Sequence, residues 1–323
     1  MINFDLDSPV TEFQEYLNIR EWLLPNEKIL AVEKPGDGNM NVVIRLKTNK
    51  RSFILKQSRP FVQKYQQIPA PLNRIAVEFQ FYNTIRNNAI AKHIPEILGY
   101  EVADYLLLME DLGQVEDMTQ IYSTRQVHKK ALDNLITIIT QIHTSQPSIN
   151  YPLNTELRQL NHQHIFVLPF LEDNGFHLDE IQSGLQILAM QYKKDKTLKE
   201  IVATVGLQYL SQGDVLIHGD YYPGSWMTVD DSIYVIDPEF SFMGFAEFDL
   251  GVMSAHIIMA TMDPLMPDYI FGKYTGSIDK HLVKKVAGIE IIRRLVGLAQ
   301  LPLNRTIDEK DYLLKQARKL IME

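Results

Sequence analysis

The chain's 323 residues suit one two-lobed unit or two ordinary domains, and 46% hydrophobic with 22% charged residues is the balance of a folded globular protein. Forty acidic against 32 basic residues leave a formal charge of −8, a field that repels nucleic acid and anionic lipid, so no nucleic-acid partner is expected. With no cysteine, disulfides and cysteine-ligated zinc are excluded; with no signal-like start at Met1-Ile-Asn-Phe and no bilayer-length apolar run, a cytoplasmic protein without a membrane partner is expected.

The first loop of interest is Gly36-Asp37-Gly38-Asn39-Met40-Asn41, whose glycines and asparagines tolerate positive φ and let backbone approach a ligand closely. It leads into Val42-Val-Ile-Arg-Leu46 and Ser52-Phe-Ile-Leu-Lys56-Gln57, two β-rich runs joined by a short polar turn, which predict a hairpin. Leu72 to Asn87 then carries helical spacing, with Ile75, Phe79 and Tyr82 on one face and Glu78 beside them. Short β-like runs surround Tyr105-Leu-Leu-Leu-Met109, and Glu110-Asp111-Leu112-Gly113 reads as a connection between an N-terminal lobe, 1–110, and a C-terminal lobe, 111–323.

Helices dominate the second part. Ser123 with Gln126 has capping-box spacing and predicts a helix start, and Leu132, Leu135, Ile139 and Ile142 repeat at helical intervals. One β island interrupts them over 214–240. An apolar strand ends at His218-Gly-Asp220, a hairpin turns at Asp230-Asp231, and its second strand delivers Asp237-Pro-Glu239. Three carboxylates are thus expected to converge on one edge.

Phosphoryl transfer needs such an edge, because its chemistry is mostly positioning and charge neutralisation. Asp220 suits the acceptor of a hydroxyl proton, and Asp237 with Glu239 offers the hard oxygens that magnesium prefers. The competing reading is a turn-rich hairpin with solvated acids. His162 and His164 have the spacing of a metal pair, but no third ligand is identifiable and they read as packing residues. Trp226 and Tyr221 read as core, and Tyr222 as the aromatic that lines a pocket.

His218-Gly-Asp220, Ile236-Asp237-Pro-Glu239-Phe-Ser-Phe-Met-Gly244 and Phe248-Asp249-Leu-Gly251 resemble the aminoglycoside phosphotransferase and choline kinase superfamily, and within it the methylthioribose kinase branch. The Gly36 loop and Ile291-Ile-Arg293-Arg294-Leu-Val-Gly-Leu-Ala299 carry the same likeness, which runs from about Glu15 to about Leu303. The resemblance implies an α+β, protein-kinase-like two-lobed fold with an N-terminal β-sheet lobe and a mainly helical C-terminal lobe. It implies ATP and Mg2+ as cofactors, a small-molecule hydroxyl acceptor of methylthioribose type, and a homodimer. An aminoglycoside- or choline-type phosphotransferase, a nucleotide-binding module without transfer, and a metal-dependent phosphohydrolase are the alternatives.

By the same resemblance Asp220 is the catalytic aspartate, and Asp237, Glu239 and Ser225 are the metal-site residues. Gly36, Asp37, Gly38, Asn39, Asn41, Lys56 with its helix partner Glu78, Met109, Glu110 and Leu112 are the nucleotide-site residues. Arg293, Arg294 and Tyr222 face the acceptor; adjacent helical residues point about 100° apart, so only one arginine of the pair is expected to face solvent. Asp249 and His218 are implied to brace and orient the catalytic loop. The branch usually reads His-Gly-Asp-Leu-His-Thr-Gly-Ser there, whereas this chain has Tyr221-Tyr222-Pro223 at the centre and is shorter than typical members. A retuned acceptor pocket is therefore expected.

Overall fold

The computed structural model describes residues 2–36, 40–86, 89–230, 232–298 and 300–323. Helix α1 (Val10–Ile19) precedes β1 (Ile29–Glu33), the hairpin β2 (Val42–Thr48) and β3 (Ser52–Gln57), and a small ribbon, β4 (Phe61–Val62) and β5 (Tyr65–Pro69). Then come α2 (Arg74–Ile85), β6 (Ile97–Glu101) and β7 (Leu106–Glu110). The order β1-β2-β3-β7-β6 is antiparallel throughout.

Strand alternation gives this sheet two different faces. Ile44, Leu46, Phe53, Leu55, Leu106 and Leu108 point to one side and are fully buried against Phe4 and the α1 residues Phe13, Tyr16 and Leu17. Each such side chain contributes roughly 1.5–3 kcal/mol of burial. Val43, Arg45, Ile54, Lys56 and Met109 have the opposite parity and line a cavity.

The remaining chain is mostly helical. It holds α3 (Ile121–Thr124), α4 (Lys129–His143), α5 (Thr155–His162), α6 (Leu178–Ile181), α7 (Leu185–Lys193), α8 (Lys196–Leu210), α9 (Ala246–Thr261), α10 (Met266–Lys273), α11 (Lys280–Val296) and α12 (Ile307–Met322). Helix α9 is apolar all round and is buried on every side, as such a helix must be. It packs on α11, whose other side meets α12.

Strand β8 (Val215–Ile217) pairs with β11 (Phe242–Gly244), and β9 (Trp226–Val229) forms a hairpin with β10 (Ser232–Val235). The β island therefore extends past 240 to Gly244, because β11 closes back on β8. The helix start expected at Ser123 is a correction. Arg125 adopts φ 59° and ends α3, Ser123 Oγ bonds back to the Gln120 carbonyl at 2.9 Å, and α4 begins only at Lys129. The expected helix at 72–87 and the hairpin at 42–57 are present with small changes of boundary.

Candidate active site

Strand β3 carries Lys56 to the inner face of the sheet, where its ammonium is 5% exposed. A lone charge there would be costly, so it has partners. Nζ lies 2.8 Å from each oxygen of Glu78 on α2 and 2.6 Å from Oδ1 of Asp237. Burial opposes the ammonium form, but Asp237 and Glu78 outweigh it and raise its pKa, so the lysine stays charged. Asp237 follows β10 in a left-handed conformation, φ 62°, and Pro238 starts the next turn, which leaves the carboxylate 46% exposed to the cleft.

The loop after β8 is held from beneath. Asp249, fully buried near the start of α9, accepts the backbone N–H of His218 at 2.6 Å and of Gly219 at 2.9 Å, and also meets His143 Nε2 at 3.1 Å. His218 spans the gap between the two acidic motifs, with Nε2 3.0 Å from the Ile236 carbonyl and Nδ1 3.3 Å from the Asp220 N–H. Gly219 sits at φ 84°, beside the Phe240 carbonyl, where a Cβ would collide. These bonds fix Asp220 at the loop tip. Burial pushes its carboxyl up to about 6, with Arg294 and Arg293 pulling the other way.

Arg293 and Arg294 both lie on α11, and neither faces solvent, which corrects the expectation for adjacent helical residues: they are 8% and 7% exposed. Glu290, one turn earlier, explains it. Its carboxylate accepts from Arg294 Nε at 2.6 Å and from Arg293 Nη1 at 2.8 Å, so one anion pairs with both cations. Arg294 Nη2 reaches to 3.5 Å from Asp220 Oδ1, and its guanidinium lies 4.9 Å over the Tyr222 ring.

Glu239 and Ser225 have partners of their own. Glu239 Oε2 accepts from Asn41 Nδ2 at 3.0 Å and lies 3.4 Å from Arg74 Nε. Arg74 is fully buried on α2, and it bonds Asn41 Oδ1 at 2.8 Å and the Met40 carbonyl at 2.8 Å. A buried guanidinium demands an anion, and Glu239 supplies it. Burial raises the Glu239 carboxyl to about 7, against the pull of Arg74 and Lys56. Ser225 Oγ donates to the Asp220 carbonyl at 2.9 Å. Among the described residues no group of three or more His, Asp or Glu side chains is gathered as a metal cluster, so the three carboxylates share an edge without forming one set of ligands. The exposed Asp237 carboxylate nevertheless offers the hard oxygen donors that suit magnesium.

A cavity of about 620 Å3 opens beside Lys56 and Asp237, within the range of small-ligand sites. Val43, Ile54, Met109, Met227 and Ile236 form its apolar walls, and Gly36, Glu110 and Leu112 also line it. Asp111, another lining residue, is clamped by Arg45 through two bonds of 2.8 and 2.9 Å. Asp37, Gly38 and Asn39 lie outside the described residues. His162, half-buried, packs on the Phe166 ring, and Trp226 is wholly buried in the core against Tyr221. Arg74, Glu290 and the Arg45–Asp111 clamp were missed in the sequence. Only Glu290 left a signal, since an acid three and four residues before two arginines is a helical ion-pair spacing.

A sheet lysine locked to a helical glutamate and to an aspartate at the edge of a cavity is the arrangement of enzymes that handle nucleotide phosphates. Residues 31–278 match the phosphotransferase enzyme family, and the chain belongs to it as an ATP-dependent phosphotransferase acting on a hydroxyl. Methylthioribose kinase of Geobacillus sp. (strain WCH70) is 25% identical over 364 residues, covering 95% of this chain and 90% of that one. Two solved structures share the fold: spectinomycin phosphotransferase APH(9)-Ia bound to ADP and spectinomycin (TM-score 0.56, 14% identical, 98% of both chains) and choline kinase LicA from Streptococcus pneumoniae (TM-score 0.52, 14% identical, 97% of this chain and 99% of that one). At such identities these two speak for the fold alone.

Proposed function

We propose that this enzyme transfers the γ-phosphoryl group of ATP to a hydroxyl of a sugar-like acceptor, with a methylthioribose-type sugar the first candidate. In this reading ATP lies in the cavity between the sheet and the helical part, its base near Met109 and Leu112 and its phosphates toward Lys56. Asp220 orients the acceptor hydroxyl and takes its proton. Asp237, with Glu239 behind it, holds magnesium, which when bound neutralises phosphate charge. Arg294 and Arg293 offset the negative charge that moves toward the acceptor.

The observation that carries the reading is the position of Asp220. It stands at a braced loop tip with a carboxyl raised to about 6, beside an arginine that is close without closing on it. The intact Lys56, Glu78, Asp220 and Asp237 speak against a module that binds nucleotide without transfer.

The relatives named methylthioribose kinase support a sugar as the acceptor. An ATP-using chain without cysteine also fits a cytoplasmic setting.

The test is a panel of methylthioribose, simple sugars, choline and aminoglycosides with ATP and magnesium. The highest kcat/KM is expected for methylthioribose or a related sugar. A preference for choline or an aminoglycoside overturns the acceptor assignment, and nucleotide binding without acceptor-dependent turnover overturns the transfer itself.

A further inference from the structure

Glu290 is 1% exposed, and three side chains donate to its two oxygens. Besides the two arginines, Oε1 meets His256 Nε2 of α9 at 3.2 Å. His256 is fully buried and turns its other nitrogen, Nδ1, to the Tyr122 hydroxyl of α3 at 2.6 Å. A carboxylate can only accept, so Nε2 carries the hydrogen and Nδ1 accepts from Tyr122. Burial pushes the imidazole down to about 4, so it is neutral. The same ring lies 5.1 Å from that of Tyr222. A buried hydrogen-bonded chain thus runs from Tyr122 through His256 and Glu290 to Arg294, crossing α3, α9 and α11 and ending beside Asp220 of the catalytic loop.

The geometry at the far end is unusual. Arg294 commits Nε to Glu290 at 2.6 Å, and its Nη2 stops 3.5 Å from Asp220, beyond a normal hydrogen bond. Guanidinium and carboxylate otherwise favour a two-bond fork. Without Glu290, the carboxylate within reach of Arg294 is Asp220, and a fork there would occupy the oxygens that must face the acceptor.

We propose that Glu290, oriented by the neutral His256 and by Tyr122, is a positioning residue that acts through Arg294: it presents Arg294 toward the acceptor and keeps it off Asp220. This rests on the phosphotransfer reading above. The bland alternative is that the network only cements α9 to α11, and the two differ in what they predict for coupled substitutions.

Glu290→Gln, Arg294→Ala and the double variant are compared by kcat, KM for ATP and Tm. Glu290→Gln is expected to lower kcat at least tenfold with KM for ATP within about threefold, and to add less than twofold in the Arg294→Ala background, since both act through one group. Effects that multiply, or a Glu290→Gln enzyme within twofold of wild type, overturn the proposal. If Glu290→Gln does not fold, His256→Gln and Tyr122→Phe carry the same cycle, with at least a threefold loss of kcat expected that vanishes in the Arg294→Ala background. A crystal structure of a folded variant reads the geometry without turnover, so it stands even if the transfer reading fails. Arg294 closing on Asp220 to about 2.8–3 Å supports the positioning role; an arginine left in place contradicts it.

Discussion

The Lys56 ammonium stands 2.6 Å from Oδ1 of Asp237, a residue 181 positions further along the chain. Strand β3 and the turn after β10 meet at that bond, and it fixes the sheet against the acidic hairpin at the mouth of the cavity.

Lys56→Met therefore removes the cation from two carboxylates, one of them the wholly buried Glu78. We predict a fall in kcat/KM for ATP of about 100-fold or more, by analogy with the loss of one preorganised charge. Tm should drop too, since an uncompensated buried charge costs roughly 3–5 kcal/mol unless it takes up a proton. Lys56→Arg should not restore activity, because a planar guanidinium does not fit a slot built for a compact ammonium. Steady-state kinetics and calorimetry check both points.

Asp220 gives a pH profile with a defined sign. Its carboxyl titrates at about 6 in the folded protein, against an ordinary value of 3.8, and it accepts a proton only when ionised. Activity should fall tenfold per pH unit below about 6. Arg294→Ala should move that midpoint upward, because the arginine pulls it down. A raised carboxyl binds its proton more tightly when folded, so its stabilising contribution is lost as pH rises from about 4 through 6. Asp220→Asn removes that loss: it should abolish transfer yet raise Tm at pH 7.5, with a smaller gain at pH 5.

Asp249→Asn is nearly isosteric but swaps one acceptor for a donor. Since both oxygens take backbone N–H groups of the catalytic loop, one donor must then face another. We expect a loss of roughly 1–3 kcal/mol in stability and at least a tenfold drop in kcat, with KM for ATP little changed. Denaturant unfolding together with kinetics separates the two effects.

How much of this was readable depends on whether the residues were contiguous. The His218-Gly-Asp220 and Asp237-Pro-Glu239 runs and the hairpin around Lys56 are local, and each appears in the structure where its pattern placed it. Glu239 shows the limit of that reading. Its spacing from Asp237 suggested a second metal oxygen, yet its nearest partners are Asn41 and Arg74, brought in from the N-terminal part. His256 was hidden for another reason: α9 is apolar all round, so periodicity marks no face on which a polar residue stands out. At Ser123 the spacing was satisfied by chance, and the left-handed Arg125 overrode it.

Arg74→Met tests the tie from Glu239 to the Met40–Asn41 loop. Without the guanidinium, Glu239 is left buried without its first cation, and its carboxyl, already at about 7, should rise further. Tm should fall, most at high pH, and the deficit should shrink below pH 7 as protonation removes the charge. KM for ATP should rise more than kcat falls, because the loop beside the cavity loses its anchor.

The central claim is that Asp220 enables transfer of a phosphoryl group from ATP to an acceptor hydroxyl. Mass spectrometry of the acceptor after incubation with ATP, magnesium and either wild type or Asp220→Asn tests it most directly. The account predicts the mass of one added phosphoryl group on a sugar-like acceptor with wild type and none with Asp220→Asn. Equal phosphorylation by both proteins would contradict it, as would ADP formation that no acceptor accelerates.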